Sequence, residues 1–409
     1  MRVAAVICIS LVTFAFLPLE HSLAQSAAGG SQIRVGADVL LSEAGSFEGR
    51  RIGLVTHRAG VTSDGVPTMT AIGRIEGLRL GALFAPEHGL DGSYDSGDPV
   101  PNAVSRGTPV YSLFGGTFSP TRQMLSRVDT FVVDLQDAGV RPFTYASTMA
   151  LVMRAAADTG KPVVILDRPN PLGGMIVDGP VLEEQFQSFI GMYPIPYVHG
   201  MTLGELATLY NRAFGINAKL TVIPMQGWER RMIWSDTGLP WATPSPGLVD
   251  ADISPYYAAT GPFDGTNVWN GVATDSRFRV VLAPWIDAPR LAKRLNDYNL
   301  PGVRFTTSAV PYPHTGKVWQ GVRLNVTDPT VFQPTTTTIH VLAEIRRMHG
   351  SKLQFRRPRR GPYLFDLVWG TKDVRLALQR GASADAIIKS WEPALERFKK
   401  LRETYLIYK

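Results

Sequence analysis

The chain has 409 residues, is 44% hydrophobic and 19% charged, and carries a formal net charge of +7. This composition is typical of a globular protein and excludes a largely disordered one. At roughly 100–200 residues per domain, the length predicts two or three domains. The basic excess is mild, and no Lys/Arg block is interleaved with aromatic residues, so the sequence indicates no nucleic-acid partner.

The N-terminal segment has the parts of a secretory signal peptide. Arg2 supplies a positive charge, an apolar run covers residues 3–17, and residues 22–24 form a small-x-small cleavage site. The run is shorter than the roughly 20 residues of a membrane span. We expect residues 1–24 to be removed and the mature protein to be exported, to the periplasm or extracellular space, without stable membrane insertion. The lone cysteine, Cys8, would leave with this segment.

Five short apolar runs alternate with helical patterns in the first half of the chain. Most are rich in Val, Ile and Phe with little polar alternation, which is typical of parallel strands buried on both faces. The runs cover residues 51–56, 80–85, 109–114, 130–135 and 162–166. Strands that alternate with helices predict an α/β fold with a doubly wound parallel sheet.

The rest of the chain has a weaker pattern. A helix is predicted over residues 201–214, with Thr202 as its cap and Glu205 in capping-box position. Residues 239–247 are Pro-rich, and the region from there to about residue 285 shows little periodicity, which predicts a long functional loop. Beyond it, a strand is expected at residues 321–326 and helices at 336–349 and 385–405.

Polar side chains cluster where the predicted strands end. In an open parallel sheet, ligands bind beyond the carboxyl ends of the strands. The sequence therefore predicts an active site at this rim, with helix caps and ion pairs as the alternative explanation. The clusters are Thr56-His57-Arg58, Pro86-Glu87-His88-Gly89, Asp134 to Asp137 followed by Arg141 and Tyr145, and Asp167-Arg168-Pro169-Asn170.

Glu87 is the strongest single candidate for a catalytic group. Pro86 favours extended backbone before it and Gly89 permits a sharp exit, so the carboxylate would stand on a short rigid turn. Such a carboxylate can act as a general acid or base. The alternative is that Glu87 only pairs with His88 or Arg58.

Further carboxylates and cations lie at the same rim. Asp137 and Asp167 are catalytic candidates, although each lies near an arginine that it could simply orient. Those arginines, Arg141 and Arg168, could equally clamp a carboxylate or phosphate of a substrate. His199, just before the capped helix, is either a substrate contact or a buried histidine.

The predicted rim also offers side chains that can bind a metal ion. His57, His88, Asp137, Asp167 and His199 could form an oxygen/nitrogen metal site. The chain lacks HExxH and DxDxDG motifs, and the first strand is not followed by G-x-G-x-x-G, so we predict neither a metal nor a dinucleotide cofactor. Aromatic residues in or beside the irregular region suit a sugar ligand, or only the core: Trp234, Trp241, Tyr256, Tyr257, Trp269 and Trp285.

These stretches resemble the bacterial exo-β-N-acetylmuramidase family over nearly the whole mature chain. The combination of PEHG, QDAGVR and DRPNPLGG in this order is specific. The motifs are GLVTHRAGVTSDG (53–65), FAPEHGLDG (84–92), VVDLQDAGVRPFTYASTM (132–149), LDRPNPLGG (166–174), DGPVLE (178–183), SFIGMYPIPYVHGMTLGELA (188–207) and LPWATPSP (239–246).

The resemblance implies a glycosidase that releases N-acetylmuramic acid from the non-reducing ends of peptidoglycan fragments. It implies a Rossmann-like catalytic domain over residues 32–247 and a smaller α/β domain over residues 248–409 that completes the cleft. Glu87 matches the PEHG glutamate as the acid/base, while Asp137, Asp167 and Glu205 stay open as the second carboxylate. Expected substrate contacts are His57, Arg58, His88, Arg141, Tyr145, Arg168, Asn170, His199 and Asn267.

One stretch departs from the family pattern. Where EGTNLSEGRGT is expected, the first glutamate is Asp264, the second is Asn270 and the arginine is Val272. Two alternatives to the glycosidase stay open, and the loss of charged groups favours the first. One is a non-catalytic envelope protein that binds wall glycan. The other is a metal-assisted hydrolase that uses His57, His88 and Asp137.

Overall fold

A computed structural model describes residues 33–42 and 49–409. The predicted signal peptide lies outside these residues. The first half of the described chain forms a seven-stranded sheet in the order β3-β4-β2-β1-β5-β6-β9. Its strands are β1 (Arg51–Thr56), β2 (Arg79–Ala85), β3 (Ala103–Ser105), β4 (Thr108–Ser112), β5 (Thr130–Asp134), β6 (Pro162–Leu166) and β9 (Lys219–Ile223).

All neighbouring strands in this sheet are parallel except β3, which runs antiparallel to β4 at the edge. Numbered along the chain without β3, the parallel strands are ordered 3-2-1-4-5-6, which is the order of a Rossmann-like sheet. The five apolar runs therefore form strands as predicted, and the predicted fold class is confirmed.

Helices cover both faces of this sheet. Successive side chains of a strand point to opposite faces. Phe131 and Val133 accordingly share one core cluster with Met149, whereas Val132 joins a separate cluster with Leu40. Burial on both sides explains why the strands read as continuous apolar runs. The helices are α1 (Gly36–Ser42), α2 (Thr68–Ile72), α3 (Arg122–Leu125), α4 (Tyr145–Asp158) and α5 (Leu203–Arg212).

The remainder of the chain forms a smaller α/β part around an antiparallel sheet in the order β10-β12-β11. Its strands are β10 (Val280–Ala283), β11 (Val303–Pro311) and β12 (Val318–Val326). A separate two-stranded pair joins β7 (Asp178–Val181) to β8 (Pro196–Val198). The helices are α6 (Ser254–Thr260), α7 (Ala288–Asp297), α8 (Pro334–His349), α9 (Leu364–Trp369), α10 (Asp373–Gln379) and α11 (Ala384–Glu403).

The expected strand at residues 321–326 and the two expected helices correspond to β12, α8 and α11. The expectation of a long structureless loop over residues 248–285 is wrong, because α6 and β10 lie inside it. Both elements are short, seven and four residues, so neither produces a readable periodicity.

The C-terminal residues return to the seven-stranded sheet. The Tyr408 hydroxyl donates to Oδ2 of Asp167 at 2.6 Å, and the Ile407 N–H donates to Oε1 of Glu205 at 2.8 Å. The end of the chain thus joins the predicted second domain to the first, and the boundary at residue 247 stays a prediction. No helix in residues 33–42 or 49–409 is long and apolar enough to cross a membrane.

Candidate active site

A cleft of ≈950 Å³ opens beyond the carboxyl end of β2. The turn after β2 contributes Glu87 and His88, and residues 142–144 come from the segment that leads into α4. The irregular region contributes residues 245–248 and the polar side chains of Asp264, Asn270 and Arg277. Aromatic rings form much of its surface: Phe114, Phe118, Phe143, Phe189, Tyr197, Tyr257 and Phe278.

Glu87 stands on a tight turn at the base of this cleft. His88 and Gly89 both have positive φ, +72° and +80°, a conformation that is uncommon for a residue other than glycine. The Glu87 carboxylate accepts hydrogen bonds from the Thr144 hydroxyl at 2.7 Å and from the Gly97 N–H at 2.9 Å. Both carboxylate oxygens are therefore held, and the group is fixed in one orientation at the cleft surface.

Asp264 is a second carboxylate in the same cleft. Burial raises its pKa to about 6, although the positive charge of Arg356 opposes this rise. Gly265, which follows it with φ +87°, leaves no room for a side chain, since a Cβ would lie 2.6 Å from the Phe365 nitrogen. The backbone behind Asp264 is thus fixed, and the Nδ2 of Asn270 lies 3.4 Å from its Oδ1.

Sequence reasoning noticed Asp264 only as a departure from the family pattern. The available signal was its place at the head of the DGTN stretch. The cleft contains three carboxylates, of which Glu87 is buried, Asp95 is exposed and Asp264 has a pKa that burial raises. A pair of carboxylates in one cleft is the requirement of most glycoside hydrolases.

Arg277 is the arginine of the cleft wall, and it was not a sequence candidate. Its Nε donates to the Thr274 carbonyl at 3.0 Å and its Nη1 to the Pro246 carbonyl at 3.1 Å. These bonds anchor the guanidinium and leave further N–H groups for a ligand, because an arginine has five.

The three arginines that the sequence nominated are used inside the fold or on its surface. Arg168 forms a bidentate pair with Asp134 at 2.5 and 2.9 Å. Arg141 donates to the carbonyls of Pro180, Ile195 and Val368, and burial lowers its pKa to about 10. Arg58 is exposed and packs against Gly92. The cleft wall, as far as the described residues form it, includes none of the three.

Asp137 and His199 form a buried pair behind the cleft. Oδ2 of Asp137 lies 3.4 Å from Nε2 of His199 and accepts the Gly139 N–H at 2.8 Å. Nδ1 of His199 accepts the Met201 N–H at 3.2 Å, so the neutral ring carries its proton on Nε2, facing Asp137. The structure brings these two candidates together, although both are less than 5% exposed.

Asp167 and Glu205 serve the N-terminus of α5. The Asp167 carboxylate accepts the Gly204 N–H at 2.8 Å and the hydroxyls of Thr202 and Tyr408 at 2.7 and 2.6 Å. Burial raises the pKa of Asp167 to about 6. Glu205 completes the predicted capping box with Thr202, which is confirmed. Both carboxylates therefore form hydrogen bonds within the fold, and neither lines the cleft.

His57 and Tyr145 are buried and pack against each other. Nε2 of His57 accepts the Gln136 N–H at 3.0 Å. Burial, and to a smaller extent the positive charge of Arg168, lowers the pKa of His57 to about 3. The His57 ring packs edge-on against Tyr145 at 4.8 Å. The Tyr145 hydroxyl donates to the Pro244 carbonyl at 2.7 Å, which ties the Pro-rich segment to α4.

The two asparagines predicted to contact the substrate bond to backbone carbonyls of the protein itself. Nδ2 of Asn170 donates to the Met201 carbonyl at 3.0 Å, and Nδ2 of Asn267 donates to the Lys352 carbonyl at 2.8 Å. The crevice between β1 and β5, where Rossmann-like proteins bind nucleotides, has a volume of only ≈10 Å³. Gln136 and Arg168 line this small space, and the much larger cavity of ≈950 Å³ lies beside β2.

The nominated aromatic and metal-binding residues are dispersed. Tyr257 lines the cleft, whereas Trp234 packs against Trp241 at 4.7 Å and Trp285 against His349 at 5.3 Å. Within the described residues, no group of three or more His, Cys, Asp or Glu side chains is placed to hold a metal ion.

Comparisons with known proteins match the chain to one family. Two family models match, described as "Exo-beta-N-acetylmuramidase NamZ, N-terminal" over residues 52–252 and "Exo-beta-N-acetylmuramidase NamZ, C-terminal" over residues 255–408. A peptidoglycan beta-N-acetylmuramidase NamZ from Bacillus subtilis (strain 168) is 40% identical over 383 residues, which is 92% of each chain.

Solved structures with the same fold come from Bacteroides fragilis NCTC 9343. One DUF1343 family protein has a TM-score of 0.86 at 33% identity and covers 92% of this chain and 99% of its own. A second has a TM-score of 0.73 at 29% identity, with 93% and 99% covered. Because the family models and the relative span nearly the whole described chain, the protein belongs to the exo-β-N-acetylmuramidase NamZ family.

Proposed function

We propose that the chain is an exo-acting glycosidase that releases N-acetylmuramic acid from the non-reducing ends of peptidoglycan fragments. Membership in the NamZ family and 40% identity to a peptidoglycan beta-N-acetylmuramidase support this function. The observation that carries it is Glu87, a carboxylate fixed by Thr144 and Gly97 in a cleft that also contains Asp264.

In this proposal Glu87 is the general acid. It gives its proton to the glycosidic oxygen as the bond between that oxygen and the anomeric carbon breaks. Asp264, in its ionised form, faces the positive charge that develops on the muramic acid ring. Glu87 then accepts a proton from the water that completes hydrolysis, so it finishes the cycle protonated.

Arg277 is our candidate for the lactyl carboxylate that distinguishes muramic acid from glucosamine. A guanidinium forms short, charge-assisted hydrogen bonds with a carboxylate. Arg277 has free N–H groups at the cleft wall, and it lies in the same irregular region as Val272, which replaces the expected arginine.

The substrate is outside the cytoplasm, which agrees with the proposed signal peptide over residues 1–24. We propose export to the periplasm or extracellular space. N-terminal sequencing of the protein recovered from intact cells tests this. A start at residue 25 supports export with cleavage, and a start at Met1 would contradict it.

The activity itself is tested with the purified protein and two nitrophenyl glycosides, the β-N-acetylmuraminide and the β-N-acetylglucosaminide. Release from the muraminide alone supports the proposal and a role for the lactyl group. In the Arg277→Gln variant, we expect KM for the muraminide to rise while the glucosaminide is cleaved no faster. Equal release from both glycosides in the unmodified protein would contradict muramic acid specificity.

A second candidate function is glycan binding without catalysis. The substituted residues Asp264, Asn270 and Val272 all line the cleft, so the departure from the family pattern lies where the substrate would bind. Saturable binding of muropeptides without release of sugar from any substrate would favour this candidate.

A further inference from the structure

An open groove of ≈550 Å³ adjoins the cleft. Phe118 and Phe189 line both spaces, and their ring centroids are 4.6 Å apart. The two cavities therefore meet at this pair of rings. A ligand bound at Glu87 and extending beyond the cleft would pass over these rings to reach the groove.

The groove presents flat aromatic surface that is partly open to solvent. Tyr193 and Phe214 stack with an interplanar angle of 8° and a centroid separation of 5.2 Å. Phe118, at the junction with the cleft, is 42% exposed. Soluble proteins seldom expose contiguous apolar surface without a ligand or partner for it. Flat rings suit the apolar faces of pyranose sugars, and Gln187 adds an amide for their hydroxyls.

Arg154 supplies a positive charge at this groove. It is exposed, and within residues 33–42 and 49–409 its side chain forms neither a hydrogen bond nor an ion pair. It lies on α4, whose first residue, Tyr145, directly follows the Thr144 that holds Glu87. Nine residues of helix rise about 14 Å, so the backbone of Arg154 lies about this far along α4 from that of Tyr145, which is more than the length of one sugar ring.

We propose that the groove is a leaving-group subsite that holds the glycan beyond the bond being cleaved, and that Arg154 pairs with the lactyl carboxylate of the next muramic acid. The inference rests on the proposed function. The order of the sugars supports it, because muramic acid alternates with glucosamine and the second lactyl group stands one sugar beyond the leaving glucosamine. A stem peptide would convert that carboxylate into an amide and remove the charge that Arg154 recognises.

The test compares three substrates: the disaccharide of muramic acid and glucosamine, the tetrasaccharide made of two such units, and the same tetrasaccharide with its second lactyl group as an amide. The measured quantity is the ratio of kcat/KM for each tetrasaccharide to kcat/KM for the disaccharide. The variants are Arg154→Lys, Arg154→Gln and Arg154→Glu. Arg74→Gln, an exposed arginine outside the groove, is the matched control.

For the acid tetrasaccharide we expect the ratio to fall by about fivefold in Arg154→Gln. This factor corresponds to the upper end of the free energies usually found for exposed ion pairs. Arg154→Lys should retain most of the ratio and Arg154→Glu should lose more than Arg154→Gln, because the charges then repel. The ratio for the amide tetrasaccharide should be low in the unmodified protein and insensitive to all three variants. Raising the salt concentration should reduce the differences in the acid tetrasaccharide ratio between the unmodified protein and the Arg154 variants.

Each contrary result has a distinct meaning. If no variant changes the acid tetrasaccharide ratio while all substrates are cleaved, the subsite is refuted and the proposed function stands. If the variants change the ratio for the amide tetrasaccharide as much as the ratio for the acid one, Arg154 does not recognise the lactyl carboxylate and the proposal is overturned. If the unmodified protein cleaves none of the substrates, the proposed function fails, and the subsite that rests on it fails too.

Discussion

Replacing Arg168 distinguishes a substrate contact from a structural ion pair. In the structure Arg168 is 5% exposed and bonds twice to Asp134, which is fully buried. Arg168→Met keeps the apolar stem but leaves the Asp134 carboxylate without its cation. Removing one partner of a buried pair costs about 3–5 kcal/mol, a large share of the roughly 5–15 kcal/mol by which folded proteins are stable.

Urea unfolding measures this loss directly. Arg58→Met is the control, because Arg58 is exposed and its replacement should change the free energy of unfolding by less than about 0.5 kcal/mol. The double variant Asp134→Leu/Arg168→Met should be more stable than Arg168→Met alone, since it leaves no unpaired buried charge. An unchanged unfolding free energy together with a raised KM for the muraminide would refute the structural role and would indicate that Arg168 contacts the substrate.

Two further predictions concern buried carboxylates. Because burial raises the pKa of Asp167 from 3.8 to about 6, the folded state binds the extra proton and loses stability as pH rises through this range. Relative to the unmodified protein, Asp167→Asn should therefore gain about 2 kcal/mol of unfolding free energy between pH 4 and pH 7, and a constant difference would contradict the raised pKa. Asp264 must be ionised to act, so kcat/KM should fall as the pH drops below about 6. Asp264→Asn should lose this acidic fall in kcat/KM along with most activity, whereas Asp264→Glu should still show one. An unaltered pH profile in Asp264→Asn would remove Asp264 from the mechanism.

The parts of the fold that sequence reasoning predicted are those with local physical causes. Strands such as β5 are buried on both faces, so their apolar runs need no tertiary information to interpret. The capping box of Thr202 and Glu205 is likewise a short-range signal. The turn around Glu87 could be anticipated because a proline and a glycine flank it within four residues.

The site details that sequence reasoning missed depend on partners far along the chain. Arg168 meets Asp134 across 34 residues, and Arg141 meets the Val368 carbonyl across 227. An arginine at a strand end therefore gives no indication whether it faces a ligand or a distant carbonyl. Asp264 and Arg277 come from a region without periodicity, and contacts with residues such as Phe365 and Pro246 fix their positions.

The role of Glu87 is tested most directly by comparing two leaving groups in the Glu87→Gln variant. A nitrophenolate leaves with little protonation, whereas a sugar hydroxyl needs a proton from the enzyme. We predict that Glu87→Gln lowers kcat/KM for the disaccharide of muramic acid and glucosamine by about 10²–10⁴-fold and that for the nitrophenyl muraminide by much less. Equal losses on both substrates would contradict its assignment as the general acid, and full activity on both would remove Glu87 from catalysis.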